Sequence, residues 1–344
     1  MVLEIDSSRG EGGGQMVRTS VALATLTGTT TKLTRIRENR PTNGLSKQHT
    51  TAVNAIAQMT GSKITGNYIG SSELLVEPGD KQVPNITMDI GTAGSISLVV
   101  QATLLAARNY KVPFNLNLKG GTNVMWAPPI DNYPMVLFPL MERMGIHARM
   151  EIIERGFYPI GGGHVKMVLD PITNIKPLNL DTLGELKNIH GLCFVQHLSD
   201  RIGHDMMEAC KKVFSPKYEV NIDFVRTEGT SRGAGMVLVA EYENGLLSSN
   251  VLSSKGHSPQ QSGLDVASDL LQEMSAGSTV DIHTADQILP YMAMADGKSS
   301  FIVSRISKHL LSQMDTLESF LDVRFGVERK ADGYHFSVNP GASS

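Results

Sequence analysis

The sequence predicts an α/β (α+β) protein built from repeated units, on three observations. Short strand-like apolar runs alternate with amphipathic helical stretches along almost the whole chain. The order β-α-β-α-β-β occurs twice in succession and again near the C-terminal end, at a spacing of roughly 80–100 residues, too long for a solenoid repeat. The 344 residues are 41% hydrophobic with a net charge of -3, enough apolar material for two cores or one large one.

In chain order, a strand at 2–5 leads through a glycine run to a helix near 15–26. A strand at 32–37, a helix at 45–59 and strands around 64 and at 73–76 complete the first unit (about 1–80). The second unit (81–170) reads as strand 86–90, helix 94–107, strand 113–118, helix 130–144, and strands 148–153 and 164–169. The third has helix 283–295, strand 301–303, helix 306–320, and strands 323–327 and 334–338, with its first strand supplied by 176–180. The large domain is therefore 1–180 plus 278–338, its third unit being 171–180 plus 278–338. Residues 181–277 form a smaller inserted α/β domain: strand 186–196, helix 200–214, strands 218–225, 236–242 and 246–253, and helix 260–274. Residues 339–344 read as a loose tail.

Composition narrows the class. Near-neutral charge argues against a general nucleic-acid coat protein but leaves room for a local basic pocket. Two cysteines, Cys193 and Cys210, fit a reducing compartment and have no metal-ligand spacing. The N-terminus lacks the basic start and apolar stretch of a signal peptide. The longest apolar run, 96–107, is interrupted by Ser97, Gln101 and Thr103 and is too short to span a bilayer. A soluble cytoplasmic protein is expected.

Several stretches carry chemistry. "RGEGGGQMVR" (9–18) puts three glycines before a helix start, where free N–H groups favour an anion. It matches neither the Walker lysine loop nor the dinucleotide fingerprint, and a plain strand-to-helix connection is the alternative. Glu11, Gln15 and Arg18 add a carboxylate and two donors at the same helix start. "RIRENRPTNGLSKQH" (35–49) places Arg37 and Arg40 after a strand, with Gln48 and His49 on the next helix; guanidinium forks suit phosphate oxygens, and a solvated basic loop is the alternative.

"GGTNVMWAPPIDNY" (120–133) has a rigid Pro128–Pro129 turn able to pack on a flat ring, and the only tryptophan, Trp126, reads equally well as core. "GFYPIGGGHV" (156–165) reads as a tight hairpin. "HTADQILPYMAMADG" (283–297) carries Asp286 and Gln287 near a helix start, and a plain helix-end stabiliser is the alternative reading of Asp286. His309 sits on an amphipathic helix, where a lone histidine is more often structural than nucleophilic.

Taken in order, "EGGGQMVR", "IRENRP..GL..QH", "GTAGS....VVQ", "GGTN....PPIDNY", "GFYPIGGG", "ADQ" and "HLLSQ" strongly resemble the catalytic type 1 branch of the RNA 3′-terminal phosphate cyclase family, over about 3–338. The resemblance implies three β-α-β-α-β-β units, each like the C-terminal domain of translation initiation factor three, with a smaller domain inserted in the last. It implies ATP-dependent conversion of an RNA 3′-phosphate end to a 2′,3′-cyclic phosphodiester through a histidine–AMP adduct, with a divalent cation, Mg or Mn.

By the same resemblance, His309 falls on the adenylylated histidine. Gln101, Pro128, His283, Thr284, Ala285, Asp286 and Gln287 fall on the nucleotide pocket. Gln15, Arg18, Arg37, Arg40, Gln48 and His49 fall on the site for the phosphates and RNA end, and Glu11 on the metal. His283 departs from the tyrosine common in the family, and Ser312-Gln313 from its Thr-Asn. The rival readings are a non-catalytic cyclase-like protein of ribosome biogenesis, which lacks the histidine and much of the arginine set, and an enolpyruvyl transferase, whose substrate site these motifs do not fit.

Overall fold

A computed structural model describes residues 2–10, 12–331 and 333–341. It is a mixed α/β structure with four sheets. The first unit runs β1 (Leu3–Asp6), α1 (Gly14–Thr27), β2 (Thr31–Thr34), α2 (Lys47–Thr60), β3 (Lys63–Thr65) and β4 (Leu74–Glu77). Its sheet has the order β1-β2-β4-β3, with β1 parallel to β2 and the other pairs antiparallel. Both helices end on a left-handed glycine, Gly28 and Gly61, where a residue without a Cβ stops the helix at little steric cost.

The second unit repeats the pattern: β5 (Asn85–Asp89), α3 (Ile96–Ala106), β6 (Phe114–Gly120), α4 (Phe138–Arg143), β7 (Ala148–Glu154) and β8 (Gly163–Leu169), in sheet order β5-β6-β8-β7. The helix expected from residue 130 begins as a π-helical turn, Tyr133–Leu137, closed by Phe138 N–H to the Tyr133 carbonyl; Pro139, next along, has no N–H to offer an α-helical bond there.

Between this unit and the last, β9 (Leu186–Gln196), α5 (Asp200–Phe214), β10 (Asn221–Thr227), β11 (Gly233–Tyr242), β12 (Leu246–Leu252) and α6 (Pro259–Ser275) form a sheet β10-β9-β11-β12. It encloses a core of its own, including Ile189, Cys193, Met206, Phe214, Leu238 and Leu270. The chain closes with α7 (Ile282–Ala293), β13 (Ser299–Val303), α8 (Lys308–Phe320), β14 (Val323–Lys330) and β15 (Gly333–Pro340), in sheet order β13-β15-β14.

Two expectations need correction. The strand expected at 176–180 is reduced to a parallel bridge, Asn179 to Ser300, held by Leu180 N–H to Ser300 (2.8 Å) and Ser300 N–H to Leu178 (3.0 Å). Pro177 lacks the N–H a longer ladder needs. Of the loose tail expected at 339–344, Asn339 and Pro340 instead pair with Arg324 and Val323, and 342–344 lie outside the described residues.

The strands alternate buried and exposed positions, as β6 and β8 do, so each sheet offers one apolar face. Those faces and the helices share the main core, in which α1 packs on α2, α3 and α8, and α7 on α3 and α8. That packing brings the N-terminal ends of α1 and α8 together. Among the described residues, no helix is long and apolar enough to cross a membrane.

Candidate active site

The site grows from the N-terminus of α1. Its N-cap is Gly13, whose missing side chain leaves the first-turn N–H groups uncapped. Gly10 is in the left-handed region (φ 61°), and a Cβ there would lie 2.1 Å from Ser312 Oγ on α8. A Cβ on Gly14 would lie 1.9 Å from His49 Nε2 on α2. The glycine loop thus lets two helices close on it.

His309 stands one residue inside α8, after an N-cap in which the Ser307 hydroxyl accepts from Leu310 N–H (2.9 Å). Its Nδ1 lies 2.6 Å from Gln15 Oε1. A carbonyl oxygen only accepts, so Nδ1 carries the hydrogen and donates it; a neutral ring then has its lone pair on Nε2. Among the described residues the buried Gln15 Nε2 amide has no partner, a donor left for a ligand. One turn along each helix, Thr19 Oγ1 donates to Gln313 Oε1 (3.0 Å), both buried, which fixes α1 against α8.

Arg18 is 6% exposed. Its Nη2 donates to Gln101 Oε1 (3.2 Å), and its buried Nε has no partner among the described residues. Burial pushes the guanidinium down to about 10 while nearby Asp286 supports the charge, so it stays cationic at neutral pH. Arg18, Gln101, Gln287, Gln313 and Tyr291 line a cavity of about 10 Å³.

His49 has the opposite tautomer. Its Nδ1 accepts from Ser46 N–H (3.1 Å) and lies 2.9 Å from the Ser46 hydroxyl, so Nε2 carries the hydrogen. It is 3% exposed, and burial, then Arg18 and Arg37, push its pKa down to about 3. It is a neutral N–H donor facing the glycine loop.

Arg37 lies on the turn after β2 with φ 55°, its Nη1 donating to Gly44 carbonyl (2.8 Å). Arg40 follows one turn on, its N–H bonded to the Arg37 carbonyl (3.1 Å), and burial, then the like charge of Arg40, lowers the Arg37 pKa. Gln48 Oε1 accepts from Ser95 N–H (3.4 Å) at the start of α3.

The residues at 283–287 form the first turns of α7. Thr284, Ala285, Asp286 and Gln287 are buried, and Gln287 Nε2 donates to the His283 carbonyl (3.0 Å), while His283 itself is exposed. The helix-end stabiliser expected at Asp286 is instead Asp281, which accepts from His283 N–H, Thr284 N–H and Thr284 Oγ1 and also from Ser248 N–H and Oγ on β12. Sequence reasoning missed Asp281, although an Asp immediately before a helical run is the usual N-cap signal.

Pro128 is half-buried in the loop leading to α4. Trp126, for which a core position was an open reading, is 95% exposed. Segment 156–165 bears out the hairpin reading, joining antiparallel β7 and β8. Glu11 lies outside the described residues, and among the described residues no group of three or more His, Cys, Asp or Glu stands together for a metal.

Comparison with known proteins identifies the family of the chain. A sequence model of the family described as RNA 3'-terminal phosphate cyclase matches residues 9–327. Proteins named RNA 3'-terminal phosphate cyclase are similar along nearly their full length. One from Nitrosospira multiformis is 37% identical over 331 residues, covering 95% of this chain and 94% of that protein. One from Methanopyrus kandleri is 36% identical over 337 residues, 96% of each. One from Methanococcoides burtonii is 36% identical over 339 residues, 98% of this chain and 100% of that protein.

Proposed function

Because the chain belongs to the RNA 3′-terminal phosphate cyclase family, we propose that it is an ATP-dependent cyclase of RNA 3′-phosphate ends working through His309. The observation that carries the mechanism is the 2.6 Å contact of His309 Nδ1 with Gln15 Oε1, which leaves Nε2 as the nucleophilic nitrogen. Nε2 attacks the α-phosphorus of ATP, forming an N–P bond as the bond to the β-phosphate oxygen breaks and pyrophosphate leaves. An oxygen of the RNA 3′-phosphate then takes the adenylyl group and frees the imidazole. The neighbouring 2′-OH, giving up its proton, attacks the RNA phosphorus and expels AMP. Tethering beside the phosphorus gives that hydroxyl its high effective concentration.

The remaining groups neutralise and orient phosphate. Arg18, Arg37 and Arg40 supply cationic forks, His49 a neutral N–H, and Gln15, Gln48 and the uncapped N-terminus of α1 further polar groups. His283, Thr284, Ala285, Asp286, Gln287, Gln101 and Pro128 are proposed to hold the adenosine. A divalent cation, Mg²⁺ or Mn²⁺, belongs with the triphosphate; such ions use phosphate oxygens and one or two carboxylates, and Glu11 is the proposed protein ligand. When bound it neutralises phosphate charge. We also propose the division into a large domain (1–180 and 278–338) and an inserted one (181–277), and a cytoplasmic location.

The test is covalent labelling. Protein incubated with α-labelled ATP and a divalent metal should take up acid-labile, alkali-stable label, and His309→Ala should take up none. Wild-type protein that stays unlabelled, or an alanine variant that labels equally, removes the mechanism. RNA ending in a 2′-deoxy 3′-phosphate should be adenylylated but not cyclised.

A further inference from the structure

Two neighbouring loops hold large apolar side chains in water. Trp126 is 95% exposed and Met125 57% in the loop before α4; Tyr158 is 76% and Ile160 58% between β7 and β8. A tryptophan at φ 66° is costly backbone for a bulky residue, and here it leaves the ring outside the core.

The loops are joined at a rigid base. Thr122 and Asn123 N–H groups both donate to the Gly156 carbonyl (2.9 and 3.0 Å), and Asn123 forms a parallel bridge with Phe157. Beneath them Arg155 makes two bonds to Asp131 (2.6 and 2.7 Å), both side chains buried, and buried Phe157 packs with Phe194. The tips are exposed while their foundation is fixed. That arrangement suits a preorganised contact surface.

The loops also adjoin the candidate active site. A Cβ on Gly161 would lie 2.7 Å from the Thr92 carbonyl, and Gly121 N–H donates to the Gly94 carbonyl (2.9 Å). Ser95, the next residue, donates to Gln48 of the proposed phosphate site. Two exposed cations flank this route. Lys47 Nζ would lie 3.0 Å from a Cβ on Gly91, and Arg232 follows Ser231, whose hydroxyl accepts from Phe157 N–H (2.8 Å).

Resting on the cyclase reading, we propose that Met125, Trp126, Tyr158 and Ile160 form a stacking platform for unpaired RNA bases immediately upstream of the 3′ end, with Lys47 and Arg232 facing the phosphodiester backbone. Aromatic faces accept any unstacked base, and flanking cations neutralise the backbone without reading sequence. The platform favours single-stranded 3′ ends over ends buried in a duplex. It supplies affinity for the RNA and leaves adenylyl transfer from ATP to the protein untouched.

The chain's single tryptophan makes the test direct. A ten-nucleotide RNA ending in a 3′-phosphate, titrated into the full-length protein, should quench Trp126 fluorescence, whereas ATP alone should not. Trp126→Ala and Tyr158→Ala should each weaken binding of the same fluorescently end-labelled RNA roughly 10-fold, with self-labelling by ATP at the wild-type rate. Three results overturn the platform: no quenching at saturating RNA, equal quenching by ATP (an adenosine site), or unchanged RNA affinity in both variants. Emission that changes with protein concentration alone points to a contact between copies and also overturns it. Failure of the cyclase reading shows separately, as wild-type protein that never labels.

Discussion

Acidification should destabilise this protein through His49 in a way that its glutamine variant reveals. In the folded chain the imidazole titrates at about 3 rather than 6.5, because it is buried between helices and faces Arg18 and Arg37. The unfolded chain therefore binds a proton at pH values where the folded chain does not. The stabilisation is complete above pH 6.5 and is lost as pH falls toward 3. Between pH 6.5 and 4.5 the unfolded imidazole goes from half to almost fully protonated, while the folded one stays neutral. At ~1.4 kcal/mol per pH unit once protonation is well advanced, that interval costs about 2 kcal/mol. A folded pKa one unit higher leaves the figure nearly unchanged. Urea unfolding of wild type and His49→Gln at both pH values, each referred to its own value at pH 6.5, cancels the carboxylates that titrate in the same range. The wild type should lose about 2 kcal/mol more than the variant. Equal losses would refute the claim that His49 is held neutral.

Further outcomes follow from close packing beside His49 and from the ion pair beneath the two exposed loops. Gly14→Ala places a Cβ 1.9 Å from His49 Nε2 and should cost about 1–3 kcal/mol, read from the thermal midpoint. Much of that cost should vanish in a His49→Ala background, and full additivity would show that the two residues do not clash. Asp131→Ala strands the buried Arg155 guanidinium and should cost roughly 3–5 kcal/mol in chemical denaturation, whereas the pair Asp131→Leu with Arg155→Met should recover most of it.

Much of the architecture was legible because it is written in short-range patterns. Strand 186–196 and helix 200–214 coincide with β9 and α5, whose apolar periodicity is strong and whose N-cap, Ser199, precedes an acidic first turn. The expected third-unit strand at 176–180 failed because edge pairing depends on what lies opposite, and among the described residues the ladder there is a single bridge, Asn179 to Ser300. Asp281 was passed over although its cap signal is local; its second role, accepting from Ser248 on β12, has no local signal at all. Trp126 was undecided because one aromatic in a proline-rich loop has no periodicity to say which side faces water.

The sequence by itself determined the α/β class, the order of the units, the family and the short list of candidate residues, since propensity, glycine and proline chemistry and ordered motifs act within a few residues. Only the tertiary structure decided which of those residues touch. Gln15 and His309 lie 294 positions apart and meet because α1 packs on α8. His49 is neutral because it is buried beside Arg18 and Arg37, and His309 turns its Nδ1 to Gln15; no window of sequence contains either set of surroundings. Reactivity here is set by surroundings, and packing makes the surroundings.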